Sequence, residues 1–193
     1  MSRLQELMNE IRALEARVAT EINRDAEALG YTIKRGRAHF EDEVVKQHRA
    51  LMINISRYLR ESSLRIIITA PLIYSLLFPL LLLDIFIEIY HRICFPIYGI
   101  PYVKRRDYII MDRHRLQYLN GIEKIHCIYC SYANGFIAYA QEIAACTEQY
   151  WCPIKHAEHP TTSHSRYHEF TPYGDAENYQ KRLKELRDAF KEK

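Results

Sequence analysis

Apolar residues follow three patterns along this chain. Leu4, Leu7, Ile11, Leu14 and Val18 recur three and four apart before the stripe shifts to Ile22 and Leu29. This spacing predicts an amphipathic, coiled-coil-like helix over residues 1–30. Ser2 with Gln5 matches a capping box, and Gly30 is placed to end the helix. A polar connector, Tyr31–Phe40, follows. Across 41–64 a second stripe, Val44, His48, Leu51, Met52, Ile55 and Leu59, faces away from Lys46, Arg49, Arg57 and Arg60. That arrangement predicts a basic helix lying in a membrane interface. The third pattern is a continuous run. Ile66–Leu83 holds eighteen residues without a charge, the lower end of what a helix needs to cross roughly 30 Å of hydrocarbon. A membrane-inserted segment over 65–103 is therefore expected.

Pro71 and Pro79 each remove a backbone donor, so the run is expected to bend. Asp84, Glu88, His91 and Arg92 come next and must leave the lipid or face protein. Basic residues stand on both flanks, Arg57, Arg60 and Arg65 before and Arg92, Lys104, Arg105 and Arg106 after. This balance fits a re-entrant hairpin bent near Phe78 and Pro79 as well as it fits one tilted span.

Beyond Pro101 the pattern turns helical again. Asp112 is placed to cap a region running from about Arg113 to Tyr150, with Asn134-Gly135 a plausible turn between two antiparallel helices or a glycine that allows close packing. Residues 158–193 read as a linker containing His159, His164 and His168, then a helix capped by Asp175. Its stripe of Tyr179, Leu183, Leu186 and Phe190 is a natural complement to the first helix. The fold class expected is mainly α: a membrane-associated helical protein with a bent or re-entrant apolar segment and a helical Cys/His-containing cytoplasmic region over 104–157.

That region carries the strongest chemical signal. Cys127 and Cys130 share a helix face, and Cys152 with His156 forms a second pair four apart. Together they make a Cys3His set suited to structural zinc. With Cys146 in place of His156, four thiolates could hold zinc or an iron–sulfur cluster. The bland alternative is cysteines packed as small apolar residues. A second chemistry arises from Glu88/His91 and Glu123/His126, both Glu-x-x-His, the pairing found in di-iron carboxylate bundles, with Glu43 and Glu142 as further candidates. Against it stands a paired polar ridge at the membrane surface.

The stretches YLNGIEKIHCIYCSYANGFIAYAQEI and TEQYWCPIKHA, about Tyr118–Ala157, resemble a group of uncharacterised bacterial membrane-associated proteins. The resemblance implies a bacterial membrane location and brings no activity or catalytic residue.

Composition narrows the classes. A net charge of +3 over 193 residues is too small to argue for nucleic acid, and basic residues gather beside the apolar run, where anionic lipid attracts them. The first thirty residues are charged throughout, unlike a cleaved signal peptide. Five cysteines, an odd number, point to the reducing cytosol. No nucleotide-binding glycine loop or nucleophile elbow is present. The sequence thus predicts a bacterial inner-membrane protein with its bulk on the cytoplasmic side, a non-enzymatic, zinc-binding structural or partner-binding platform. An oxidoreductase with a di-iron or iron–sulfur centre is the alternative. Membrane lipid is the expected partner, with a protein partner or self-association through the terminal helices.

Overall fold

A computed structural model describes residues 3–34, 37–158 and 160–191. Ser2 of the expected capping box and His159 of the linker lie outside the described residues. The described chain is mainly helical, and it divides into two compact units. One holds the residues up to Leu59 together with Asp112–Lys124; the other holds Arg60–Met111 and the residues from Ile125 onward.

In the first unit, helix α1 (Arg3–Ala28) ends at Gly30, whose φ of +69° is the left-handed conformation that L-residues avoid. A Cβ there would also lie 2.7 Å from Val44 Cγ2. The expected polar connector is instead a hairpin. Strands β1 (Tyr31–Lys34) and β2 (Arg37–Phe40) pair antiparallel with Tyr31 opposite Phe40. The single helix expected over 41–64 is two, α2 (Asp42–Ala50) and α3 (Ile55–Glu61). Asn54 begins the second, its carbonyl accepting from Tyr58 N–H, in keeping with the preference of asparagine for helix starts.

The second unit is built on the apolar run. Helix α4 (Leu64–Ser75) and helix α5 (Leu77–Tyr98) flank Leu76, whose φ of −64° and ψ of −17° are still right-handed. The chain bends there and does not reverse, so the re-entrant hairpin is not formed. Pro79 explains the position of the bend, because it denies an amide to the carbonyl of Ser75. Leu64–Tyr98 is one apolar helix long enough to cross a membrane. Its 35 residues correspond to about 52 Å of helix axis, more than the hydrocarbon core requires. No side chain of α4 is buried, and Leu72 and Phe78 are among the most exposed. Only later, at Asp84, His91 and Phe95, does α5 bury residues. Gly99 closes α5 with φ +68°, and Ile100 N–H reaches back to the Phe95 carbonyl.

Helix α6 (Gly121–Trp151) is unbroken through Asn134-Gly135, so the turn between antiparallel helices is absent. Gly135 serves close approach: a Cβ there would lie 2.8 Å from both Ile109 Cα and the Tyr108 carbonyl oxygen. The start of α6 is also not where Asp112 suggests. Asp112 precedes only a short 3-10 turn, Arg113–Arg115. Asn120 is the cap, its Oδ1 accepting from the Ile122 and Glu123 amides while Glu123 Oε2 accepts from Asn120 N–H.

In the second unit α6 runs alongside α5 in the same direction: Tyr132 meets Asp84, Tyr139 meets His91, and Tyr98 stacks on Tyr150. Phe95, Ile100, Val103, Phe136, Tyr139, Ile143, Cys146 and Phe190 form the core. Helix α7 (Ala176–Asp188), capped by Asp175, spends its stripe here. Leu183, Leu186 and Phe190 are buried, and Gln149 and Arg187 tie α6 and α7 together at Leu186 O and Tyr150 O. This stripe is spent on the core of its own unit.

Candidate functional site

The polar residues of α5 fall at 84, 88 and 91, one face of a helix, and the structure turns that face toward α6 and the segment Tyr102–Arg105. Asp84 accepts a bidentate pair from Arg105, Nη1 to Oδ1 and Nη2 to Oδ2 at 2.5 Å each, and Tyr132 donates to Oδ2 at 2.7 Å. One turn on, Glu88 accepts from Arg92 Nε at 2.8 Å and from Tyr139 Oη at 3.0 Å. His91, fully buried, lies between the Phe95 ring edge and a stacked Tyr102 ring 4.2 Å away.

The partners of His91 fix its tautomer. Val103 N–H donates to Nε2 at 3.1 Å, so that nitrogen carries the lone pair and the neutral ring bears its proton on Nδ1. Nδ1–H then donates to Tyr139 Oη at 2.9 Å, and Tyr139 passes its own O–H to Glu88 Oε2. Backbone amide, imidazole and phenol donate in turn toward the Glu88 carboxylate, which the Arg92 guanidinium meets from the other side. Such a chain makes each buried polar group the satisfaction of the next, which is costly to interrupt.

The ionisation of its outer members follows from this. Burial pushes the Tyr132 phenol up to about 12, reinforced by its hydrogen bond to Asp84. Tyr139 moves further in the same direction, by burial first and by its bond to Glu88 second. The Asp84 carboxylate raises Arg105 well above the usual guanidinium range. At these groups the protonated phenols and the charged guanidinium are the forms held.

On the outer side of this ridge lies an open cleft of about 510 Å3, lined by Asp84, Ile85, Glu88, Ile89, Arg92 and Arg105. The two guanidiniums flank an apolar floor of Ile85 and Ile89, both exposed. A carboxylate holds each arginine in place. This is a geometry for anions attached to an apolar body.

The sequence-predicted metal ligands do not meet. Cys127 and Cys130 lie early on α6, whereas Cys152 follows its last residue. About 32 Å of unbroken helix separates Cys130 from Trp151. Cys146 is buried in the core, its Sγ against Glu142 Oε1 at 3.6 Å. The His156 ring stacks on Tyr167. The di-iron set fares no better. Glu88 and His91 belong to the hydrogen-bonded chain, Glu123 to the cap of α6, and His126 stacks on Tyr74. Glu142 accepts from Arg166, and Glu43 pairs with Lys46. Among the described residues no group of three or more His, Cys, Asp or Glu is placed to hold a metal ion. That overturns the zinc site, the iron–sulfur and di-iron alternatives, and with them the metal-binding platform and the oxidoreductase.

The fold and this ridge define a mainly helical protein with, among the described residues, one apolar helix long enough to cross a membrane. Comparison with protein families, with curated proteins and with solved structures finds no match.

Proposed function

We propose that this is a membrane-anchored protein that seats an anionic phospholipid headgroup in the cleft between Arg92 and Arg105. The observation that carries the reading is the floor. Ile85 and Ile89 continue an exposed apolar stripe that includes Phe78, Leu82 and Phe86, so an acyl chain lying along α5 would bring its phosphate to the two guanidiniums. Lys104 and Arg106 adjoin Arg105 in sequence and add to the local positive charge. Basic residues on both flanks of the run suit the anionic headgroups at either face of an inner membrane.

Arg92 is the residue to test, because its side chain is 69% exposed and its loss leaves the Asp84–Arg105 pair intact. Arg92→Gln is expected to weaken binding to vesicles containing phosphatidylglycerol about fivefold, the effect of one basic residue at an anionic surface. Binding to wholly zwitterionic vesicles should be unchanged. Equal binding of both proteins to both vesicles would refute the headgroup site.

A further inference from the structure

Helix α1 carries an apolar stripe that stays exposed among the described residues of its unit. Leu7, Ile11, Leu14 and Val18 stand 49%, 47%, 56% and 58% exposed along one face of a 26-residue helix. An isolated helix with such a stripe gains its stability from a partner. The membrane surface fits poorly: α1 carries six carboxylates and four arginines, whereas helices that lie on anionic lipid are rich in Lys and Arg. Helix α7 is already committed to the core of the second unit.

We propose that α1 pairs with α1 of a second copy as an antiparallel coiled coil. Ile11 and Val18 occupy a positions and Leu7 and Leu14 occupy d positions. An antiparallel pair that sets Ile11 opposite Leu14 also sets Leu7 opposite Val18, and twofold symmetry repeats both layers. Four consecutive layers are then wholly apolar.

Charge selects this arrangement. The g positions on either side of the centre are Glu10 and Arg17. In the antiparallel pair Glu10 faces Arg17 of the partner subunit twice. In a parallel pair Glu10 would face Glu15 across the seam, also twice, two repulsions in place of two attractions. Sliding the antiparallel pair by one heptad, so that Leu7 faces Ile11, would set Glu10 against its own copy.

The test is a charge swap on the full chain in detergent, with protein mass followed by light scattering across a dilution series. Wild type is expected to dimerise. Glu10→Arg should weaken the dimer about tenfold, since two attractive pairs become repulsive. Glu10→Arg with Arg17→Glu should restore it. Strengthening by Glu10→Arg alone would reveal a parallel pair and overturn the proposal. A wild type that stays monomeric throughout, or a dimer indifferent to both variants, would overturn it as well. Both residues are exposed, and circular dichroism will show helix content unchanged in each variant.

Discussion

At the scale of single residues, the phenols on α6 do what the apolar run of α5 cannot do for itself. Asp84, Glu88 and His91 sit on a helix otherwise suited to lipid, and Tyr132 and Tyr139 give them partners that are themselves largely apolar. The consequence is measurable in the tyrosines. Tyr132 should ionise only near 12, above the ordinary phenol value of about 10. The sign of the linkage follows. A phenol whose pKa is raised on folding contributes stability that is whole below pH 10 and is lost as pH climbs from 10 to 12. Titration of phenolate absorbance should show a late component that Tyr132→Phe diminishes. Loss of that component in the unfolded chain, where every tyrosine ionises together, completes the check.

At the scale of elements, Gly135 is the position on which α6 depends. Packing of the segment Tyr108–Ile109 against that glycine lets α6 run unbroken where the sequence also allowed a turn. Gly135→Ala should destabilise the fold by about 2 kcal/mol, because backbone atoms lie where the methyl must go and cannot rotate aside. Gly121→Ala makes the control. It also lies in α6, but a methyl there meets only Ile55 Cδ1 at 3.7 Å, so alanine should be neutral or slightly stabilising. Chemical denaturation of the two variants reads the difference directly, and similar midpoints would contradict this role for Gly135.

The same glycine shows how far the sequence could be read. The periodicities of α1 and α7, the Gly30 and Asp175 boundaries and the apolar run are local properties, and each is found where local rules place it. Whether α6 breaks at Gly135 depends on Ile109, 26 residues away, and no local rule reaches that far. The CxxC and CxxxH spacings therefore suggested one site when an unbroken helix holds them apart. The cap at Asn120 was readable, since Asn-x-x-Glu is a capping signal, but Asp112 competed with it. The hairpin was readable too. Tyr31, Thr32 and Ile33 favour strand, and a two-residue link containing glycine follows Lys34. The polar ridge was visible as spacing. Its tyrosine partners, 48 and 51 residues distant, were not.

At the scale of the whole molecule, everything proposed for the cleft rests on the apolar helix being in lipid. The two halves of that helix divide the work. In the half before Asp84 no side chain is buried, and in the half after it one face binds α6 while Ile85, Ile89, Ile93 and Ile97 stay exposed. Exposed apolar surface on this scale marks contact with membrane or protein. Leu72, 72% exposed on α4, is the best reporter of which it is. With the sole tryptophan removed as Trp151→Phe, Leu72→Trp should place an indole in the hydrocarbon of reconstituted vesicles. The account predicts blue-shifted emission that is strongly quenched by lipids brominated along their acyl chains; red-shifted emission untouched by those lipids would contradict it.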